Sequence, residues 1–256
     1  MRGVNRRLIT NGLLGLGCLP LLGAGGRAFA QLGGPETIVV FGDSQGQGIA
    51  GGLQRVLIED PRFRIVNRTH PGAALVHGES EWLAPVRQFA AREHADIAVV
   101  MFGANDRLDM RDDGVYLRFR SEEWRRAYAQ RVDEILDALR GAGLRVLWCG
   151  NPIARSGTYS ADMEYLNQIY ADETARYGAQ FLPLWSAVAD DQGRYMAYGK
   201  DRDGVTQRLR NDDGIHFTSA GYALIADKII ADLPGLSEAA HQPRPDGRSA
   251  PAVRDQ

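Results

Sequence analysis

Short apolar runs alternate with longer amphipathic segments along most of the chain. Five short runs are rich in apolar and β-branched residues and are typical of buried strands; they lie at 37–41, 63–66, 97–102, 144–149 and 180–184. Apolar residues at helical spacing predict helices at 51–59, 81–94, 121–140, 161–177 and 219–233. This strict alternation predicts an α/β fold: a three-layer α/β/α sandwich around a central, mostly parallel five-stranded sheet, similar to flavodoxin in layout.

The N-terminal segment departs from this pattern. Residues 1–30 contain Arg2, Arg6 and Arg7, then a short Leu- and Gly-rich stretch, then Ala28-Phe29-Ala30. That order is typical of a signal peptide cleaved after Ala30, and the adjacent arginines fit both an ordinary and a twin-arginine signal. The apolar stretch is too short to span a bilayer, so we expect an exported, periplasmic protein without stable membrane insertion.

The composition favours one domain that is stabilised by its core. The domain is predicted at 31–233, because the Pro-, Arg- and Ser-rich residues 234–256 are typical of a disordered tail. Removal of residues 1–30 takes away four arginines and no acidic residue, which leaves 26 basic against 32 acidic residues. That balance does not favour binding to nucleic acid. Cys149 is then the sole cysteine, and its apolar neighbours indicate a core position.

Polar residues and glycines gather where the predicted strands end. A Gly-Asp-Ser tripeptide ending at Ser44 follows the first strand, Gly72 lies shortly after the second, and Asn105 follows the third. Asp213 and His216 precede the last predicted helix, three residues apart. Ligands of parallel sheets bind at the carboxyl ends of the strands, so we expect these residues to meet there.

Together, these motifs resemble the SGNH (GDSL-type) hydrolases over nearly all of residues 37–232, and in detail an exported bacterial branch without an assigned function. A serine hydroxyl needs a base to remove its proton, and the base needs a third group to orient it. The resemblance implies that Ser44 is the nucleophile, His216 the base and Asp213 the orienting group. It also implies an oxyanion hole formed by the backbone N–H groups of Ser44 and Gly72 and the Asn105 amide, with no cofactor.

Other interpretations of the same residues are weaker. Each motif alone fits an ordinary turn or helix cap, and only their joint order favours catalysis. The sequence from Gly42 to Gly46 matches the nucleophile elbow of α/β-hydrolases, but about a dozen residues precede Ser44 after cleavage, too few for the strands of that fold. Dinucleotide-binding and P-loop patterns are absent, and no histidine spacing predicts a metal site.

The substrate is less well defined by the sequence. The charged segments 107–120 and 195–210 are predicted to form walls of the pocket, and neither has the apolar character of a lipase lid. We therefore expect a small acyl group, such as acetyl, on a cell-envelope or extracellular glycan. Three hypotheses remain: an esterase, an O-acyltransferase that works beside a membrane acyltransferase, and a non-catalytic glycan-binding module. Trp82 and Trp124 are predicted to be core residues, and His70 and His77 to lie at the surface.

Overall fold

The computed structural model describes residues 34–233. The predicted signal peptide at 1–30 and the predicted tail at 234–256 lie outside these residues. Within the described part of the chain, no helix has the length and apolar character needed to cross a membrane.

The strands form one large sheet and two small hairpins. In chain order the strands are β1 (Glu36–Gly42), β2 (Phe63–Thr69), β3 (Ile97–Met101), β4 (Met110–Asp112), β5 (Val115–Leu117), β6 (Arg145–Cys149), β7 (Gln180–Leu182), β8 (Tyr198–Lys200) and β9 (Thr206–Arg208). The five-stranded sheet has the order β2-β1-β3-β6-β7, and all its neighbouring strands are parallel. This arrangement confirms the predicted fold class.

Five helices cover the two faces of the sheet. They are α1 (Ser44–Val56), α2 (Leu83–Arg92), α3 (Glu122–Gly141), α4 (Gly157–Arg176) and α5 (Ser219–Asp232). Alternate residues of β1 point to opposite faces: Ile38 and Val40 pack with α1 and α5, whereas Val39 and Phe41 pack with α2, α3 and α4. The central strands β1 and β3 are therefore buried on both sides. The polar residues that follow them lie at the carboxyl-end edge of the sheet.

Helix α1 begins seven residues earlier than the sequence predicts, directly at Ser44. The Asp43 carboxylate caps it by accepting the Gln45 N–H at 2.8 Å. Glycines dilute the apolar pattern of this helix, but two of them are needed for close packing against α5. A Cβ on Gly48 would fall on the Tyr222 ring, and one on Gly52 would lie 2.5 Å from the Tyr222 carbonyl oxygen.

The two segments predicted as pocket walls contain the two small hairpins. β4 pairs with β5 within 107–120, and β8 pairs with β9 within 195–210. Trp82 and Trp124 are core residues as predicted, with 2% and 0% of their surfaces exposed. Cys149 also lies in the core, where burial raises the pKa of its thiol well above the usual value.

Candidate active site

Ser44 is the first residue of α1, at the carboxyl end of β1. The first N–H groups of a helix have no acceptor inside it, and here the Asp43 carboxylate already accepts that of Gln45. The fully buried Asp43 side chain also accepts the Ala104 N–H at 3.1 Å, which ties the loop after β3 to the start of α1. Burial raises the pKa of Asp43 to about 7, against the hydrogen bonds from Gln45 and Ala104.

A continuous hydrogen-bonded chain joins Ser44, His216 and Asp213. Ser44 Oγ lies 2.7 Å from His216 Nε2, and His216 Nδ1 lies 2.7 Å from Asp213 Oδ2. The other carboxylate oxygen, Oδ1, accepts the backbone N–H groups of Ile215 at 2.8 Å and His216 at 2.9 Å. Partial burial acts to raise the pKa of Asp213, but these hydrogen bonds outweigh it and lower the pKa. The structure thus brings together the three residues that the sequence singled out.

Two further side chains hold the loop that carries His216, and both converge on the Ile215 carbonyl. Gln45 Nε2 donates to it at 3.2 Å, and Arg210 Nη1 donates at 3.0 Å. The Tyr222 hydroxyl on α5 in turn donates to Gln45 Oε1 at 3.2 Å. Arg210 also donates to the Ile153 carbonyl, and its guanidinium lies 3.6 Å from the centroid of the Phe217 ring. Burial lowers the pKa of Arg210 to about 10.

Gly72 occupies a tight turn after β2. The Ala73 N–H donates to the His70 carbonyl at 3.0 Å, and Gly72 has φ +86°, which matches a type II turn with Pro71 and Gly72 at its centre. The Asn105 amide donates to the Ala73 carbonyl at 3.1 Å, so this hydrogen bond ties the Asn105 side chain to the residue that follows Gly72. Within residues 34–233, the Gly72 N–H has no hydrogen-bond partner.

A buried polar network around Asp106 stabilises the segment after the Gly72 turn and the loop that carries Asn105. Asp106, fully buried, accepts the Val76 N–H at 3.0 Å and the Tyr128 hydroxyl at 2.9 Å. Tyr128 and Tyr170 share a hydrogen bond of 2.7 Å, and Tyr170 donates to the Phe102 carbonyl at 3.3 Å. Burial raises the pKa of Asp106 to about 6. The sequence analysis missed this network and also Gln45 and Arg210, because their partners are distant in the chain.

The surroundings of this site are polar. Tyr159 on α4 donates to the Ala104 carbonyl at 2.9 Å, and the Arg107 guanidinium lies 4.6 Å from the centroid of the Tyr159 ring. Arg155 donates its backbone N–H to the Gly214 carbonyl at 3.0 Å, next to Asp213. Within the described residues, no group of three or more His, Cys, Asp and Glu side chains is arranged to hold a metal ion.

The comparison with protein families identifies one family over most of the chain. The family described as "Protein of unknown function (DUF459)" matches residues 37–232. The chain belongs to this family. No curated protein sequence matches the chain significantly. The matched range of the DUF459 chain begins in β1 and ends with α5, so it includes Ser44, Gly72, Asn105, Asp213 and His216.

Solved structures show which fold the DUF459 chain has. A member of the lipolytic G-D-S-L family from Veillonella parvula is similar with a TM-score of 0.57 and 15% identity, covering 78% of this chain and 99% of that one. The periplasmic domain of a lipopolysaccharide acetyltransferase from Salmonella Paratyphi A gives 0.54 and 13%, covering 77% and 82%. An acetyl-xylooligosaccharide esterase from Geobacillus gives 0.51 and 13%, covering 78% and 94%. The DUF459 chain therefore has the SGNH (GDSL-type) hydrolase fold.

Proposed function

We propose that this protein is a serine esterase that removes small acyl groups, acetyl above all, from a glycan outside the cytoplasm. The observation that carries the proposal is the chain of 2.7 Å contacts from Ser44 Oγ to His216 Nε2 and from His216 Nδ1 to Asp213 Oδ2. A hydrogen-bonded Ser–His–Asp set at the start of a helix is the arrangement that acyl transfer requires. It also argues against a purely non-catalytic glycan-binding module.

Each residue has a defined part in the proposed reaction. Ser44 Oγ bonds to the ester carbonyl carbon while its proton passes to His216 Nε2. The charge that develops on the carbonyl oxygen is stabilised by the N–H groups of Ser44 and Gly72 and by the Asn105 amide. The carbon–oxygen bond to the alcohol then breaks, the alcohol leaves with the proton from His216, and an acyl-Ser44 ester remains. Water, deprotonated by His216, cleaves this ester and releases the acid.

Solvent access supports hydrolysis as the main outcome. The side chains of His216 and Asp213 are 31% and 45% exposed, so water reaches the base without a conformational change. The polar surroundings of the site support a small acyl group, as do the predicted walls at 107–120 and 195–210, which lack the apolar character of a lipase lid. The predicted signal peptide supports a substrate in the periplasm.

The test is to measure acetate release and active-site labelling in the purified protein. We expect hydrolysis of p-nitrophenyl acetate and of acetylated oligosaccharides, together with covalent labelling by a fluorophosphonate. Both are expected to disappear in Ser44→Ala. An unlabelled parent protein that binds glycans but releases no acetate would reject the esterase in favour of a binding module.

An O-acetyltransferase is the second candidate, supported by the similarity to the Salmonella acetyltransferase domain. The same acyl-Ser44 intermediate would then pass its acetyl group to a sugar hydroxyl, with a membrane acyltransferase as the acyl source. Transfer to an added oligosaccharide at a rate above hydrolysis would favour this candidate. A transfer product that stays undetected while acetate accumulates would favour the esterase.

A further inference from the structure

A cavity of about 390 Å³ adjoins the proposed active site, and nothing in the proposed reaction uses it. It lies between the loop after β2 and the start of α2, and we name it the His70 cavity. Its walls include Gly42, Asn67, His70, Ser80, Trp82 and Phe102. The volume is at the lower end of the roughly 300–1,000 Å³ that small-molecule sites span, which suits a ligand of about one ring.

The same chain segments that carry the proposed oxyanion donors also form this cavity. Gly42 lies two residues before Ser44, His70 two residues before Gly72, and Phe102 three residues before Asn105. The His70 N–H donates to the Gly42 carbonyl at 2.8 Å, so the first two segments are in direct contact. A ligand in the cavity would therefore lie next to the chain segments that hold the oxyanion donors, although Ser44, Gly72 and Asn105 do not themselves line it.

The charged groups of the cavity wall are already paired. Arg68 donates to both Glu93 carboxylate oxygens, at 2.7 and 2.8 Å, and Glu81 lies 2.7 Å from the His77 ring nitrogen. Neither Glu93 nor His77 lines the cavity. A charged ligand would have to compete with these pairs, so the cavity favours a neutral one.

Three uncharged polar side chains of the cavity wall remain available for hydrogen bonds to a ligand. Asn67 Oδ1 accepts from the Thr69 N–H and hydroxyl, at 2.9 and 2.7 Å, but within residues 34–233 the Asn67 Nδ2 group has no acceptor. The side chains of His70 and Ser80 are exposed and likewise have no hydrogen-bond partner in this part of the chain. Hydroxyl groups are suitable partners for an amide, an imidazole and a serine hydroxyl.

The wall on the other side is apolar and rigid. Trp82 and Phe102 are each 2% exposed and belong to the hydrophobic core, so they form a fixed floor under the cavity, and the half-buried Pro85 supplies apolar surface that a ligand can reach. A sugar ring has apolar C–H faces and a polar hydroxyl rim, and it matches this combination. A long acyl chain would leave the polar groups without partners.

We propose that the His70 cavity binds one uncharged sugar ring of an acetylated glycan and holds it beside the oxyanion hole. This inference rests on the proposed function and names the substrate class of that site. His70 and Asn67 donate or accept hydrogen bonds with the ring hydroxyls, while Pro85, above the floor formed by Trp82 and Phe102, contacts its carbon face.

The test compares activity on two esters in matched variants of the full chain. His70→Ala removes the imidazole, and Asn67→Asp removes the Nδ2 donors while it keeps the Oδ1 acceptor used by Thr69. For each variant, kcat/KM is measured with an acetylated neutral oligosaccharide and with p-nitrophenyl acetate. We expect the ratio of the two values to fall about tenfold in both variants, which is the effect of losing one or two hydrogen bonds. His94→Ala, an exposed histidine outside the cavity, is expected to leave the ratio at the parent value.

Two results would overturn the cavity proposal: an unchanged ratio in both variants, or a selective loss of activity on p-nitrophenyl octanoate, which would assign the cavity to the acyl chain.

Calorimetric titration of Ser44→Ala with the acetylated oligosaccharide separates this inference from the proposed function. If the parent lacks esterase activity and fluorophosphonate labelling, the proposed function fails. Saturable binding that is lost on adding His70→Ala would still support the cavity.

Discussion

The side-chain amide of Gln45 donates to the Ile215 carbonyl at 3.2 Å, although 170 residues separate the two in the chain. Gln45 directly follows Ser44, and Ile215 directly precedes His216. The contact therefore fixes the distance between the proposed nucleophile and its base through one hydrogen bond beside them.

Loss of this hydrogen bond should slow the proposed chemistry. In Gln45→Leu, the Ile215 carbonyl keeps Arg210 but loses its link to α1, so we expect kcat to fall about 10- to 100-fold with little change in KM. Tyr222→Phe is the matched control, because it removes the hydroxyl that orients Gln45 but leaves the bond to Ile215, and its effect should be smaller. Steady-state kinetics and the fluorophosphonate labelling rate measure both variants. Equal effects on KM and kcat would contradict a positioning role.

The Asp213 carboxylate should determine which nitrogen of His216 carries the proton. In Asp213→Asn, Oδ1 can still accept the two backbone N–H groups, but the amide nitrogen faces His216 Nδ1 and acts as a donor. The proton is then driven to Nε2, where it blocks proton transfer from Ser44. We expect kcat to fall by about 10²–10⁴. Asp212→Asn, which alters the neighbouring exposed carboxylate, is expected to retain parent activity in the same assay.

A substitution at Gly72 tests whether the turn positions the Gly72 N–H as an oxyanion donor. A Cβ there would meet no atom within 4 Å, yet φ is +86°, so Gly72→Ala costs roughly 1–2 kcal/mol of backbone strain without a clash. As the turn relaxes, the N–H should move, and kcat/KM should fall about 10²-fold. Gly143→Ala has the same open space at φ +85° at the end of α3. Thermal unfolding should show a similar destabilisation of both variants, but only Gly72→Ala should lose activity.

Two buried carboxyl groups should make stability fall as the pH rises. The pKa of Asp43 is raised to about 7 and that of Asp106 to about 6, both chiefly by burial, whereas an unfolded chain has carboxyl pKa values near 4. Between pH 4 and 7, the folded state therefore binds more protons than the unfolded state, and the free energy of unfolding decreases with pH. Asp133, whose pKa is raised to about 6 first by burial, acts in the same direction.

The measurement is the thermal midpoint at pH 5.5 and pH 8, which we expect to be higher at pH 5.5. Asp106→Asn should reduce this difference between the two midpoints, because it removes one of the titrating carboxyl groups. The network is expected to persist, since the amide can donate to Tyr128 and Tyr128 can then donate to Tyr170. The exposed Asp191→Asn provides the control. A larger pH difference in Asp106→Asn than in the control would contradict the assignment.

The packing of α1 on α5 predicts opposite effects for two adjacent glycines. In Gly52→Ala the new Cβ would lie 2.5 Å from the Tyr222 carbonyl oxygen, so the helices must separate, at a cost of about 1–3 kcal/mol. In Gly51→Ala the nearest atom is the Arg55 guanidinium at 3.4 Å, and better helix propensity should stabilise by about 0.5–1 kcal/mol. Chemical denaturation compares the two. Similar destabilisation by both substitutions would show that α1 does not approach α5 as closely as described.

Sequence and structure agree where the signal is local. The apolar runs predicted the five strands because the middle of a parallel sheet is covered on both faces, as in β3, whose five residues are all buried, and the edge strand β2 keeps an apolar core of Ile65 and Val66 between its polar residues. The proposed site residues were found because turn-forming and polar residues at strand ends are conspicuous beside such runs. The start of α1 was wrong by seven residues, because Gly46 and Gly48 carry no apolar side chain, although Gly48 is needed for close packing against Tyr222.

Contacts between residues that lie far apart in the chain could not be predicted from the sequence. Nothing near Gln45 indicates that it bonds to Ile215, and Arg210 resembles an ordinary charged loop residue until the fold places it on Phe217 and beside the Ile153 carbonyl. Asp106 lies in the loop after β3, and its role could not be predicted because its partner Tyr128 is 22 residues away on α3. The hairpins β4–β5 and β8–β9 have strands of three residues each, too short for a periodic pattern to reveal.

Ser44 opens the first helix, and His216, 172 positions further along the chain, lies three residues before the last helix begins. The proposed nucleophile therefore has no base until α5 has packed against α1. A nascent or partly folded chain would hold a chemically inert serine, and acyl transfer would begin only when the C-terminal helix is in place. In a refolding experiment, recovery of enzyme activity would consequently report the completion of the fold, later than signals from the central sheet.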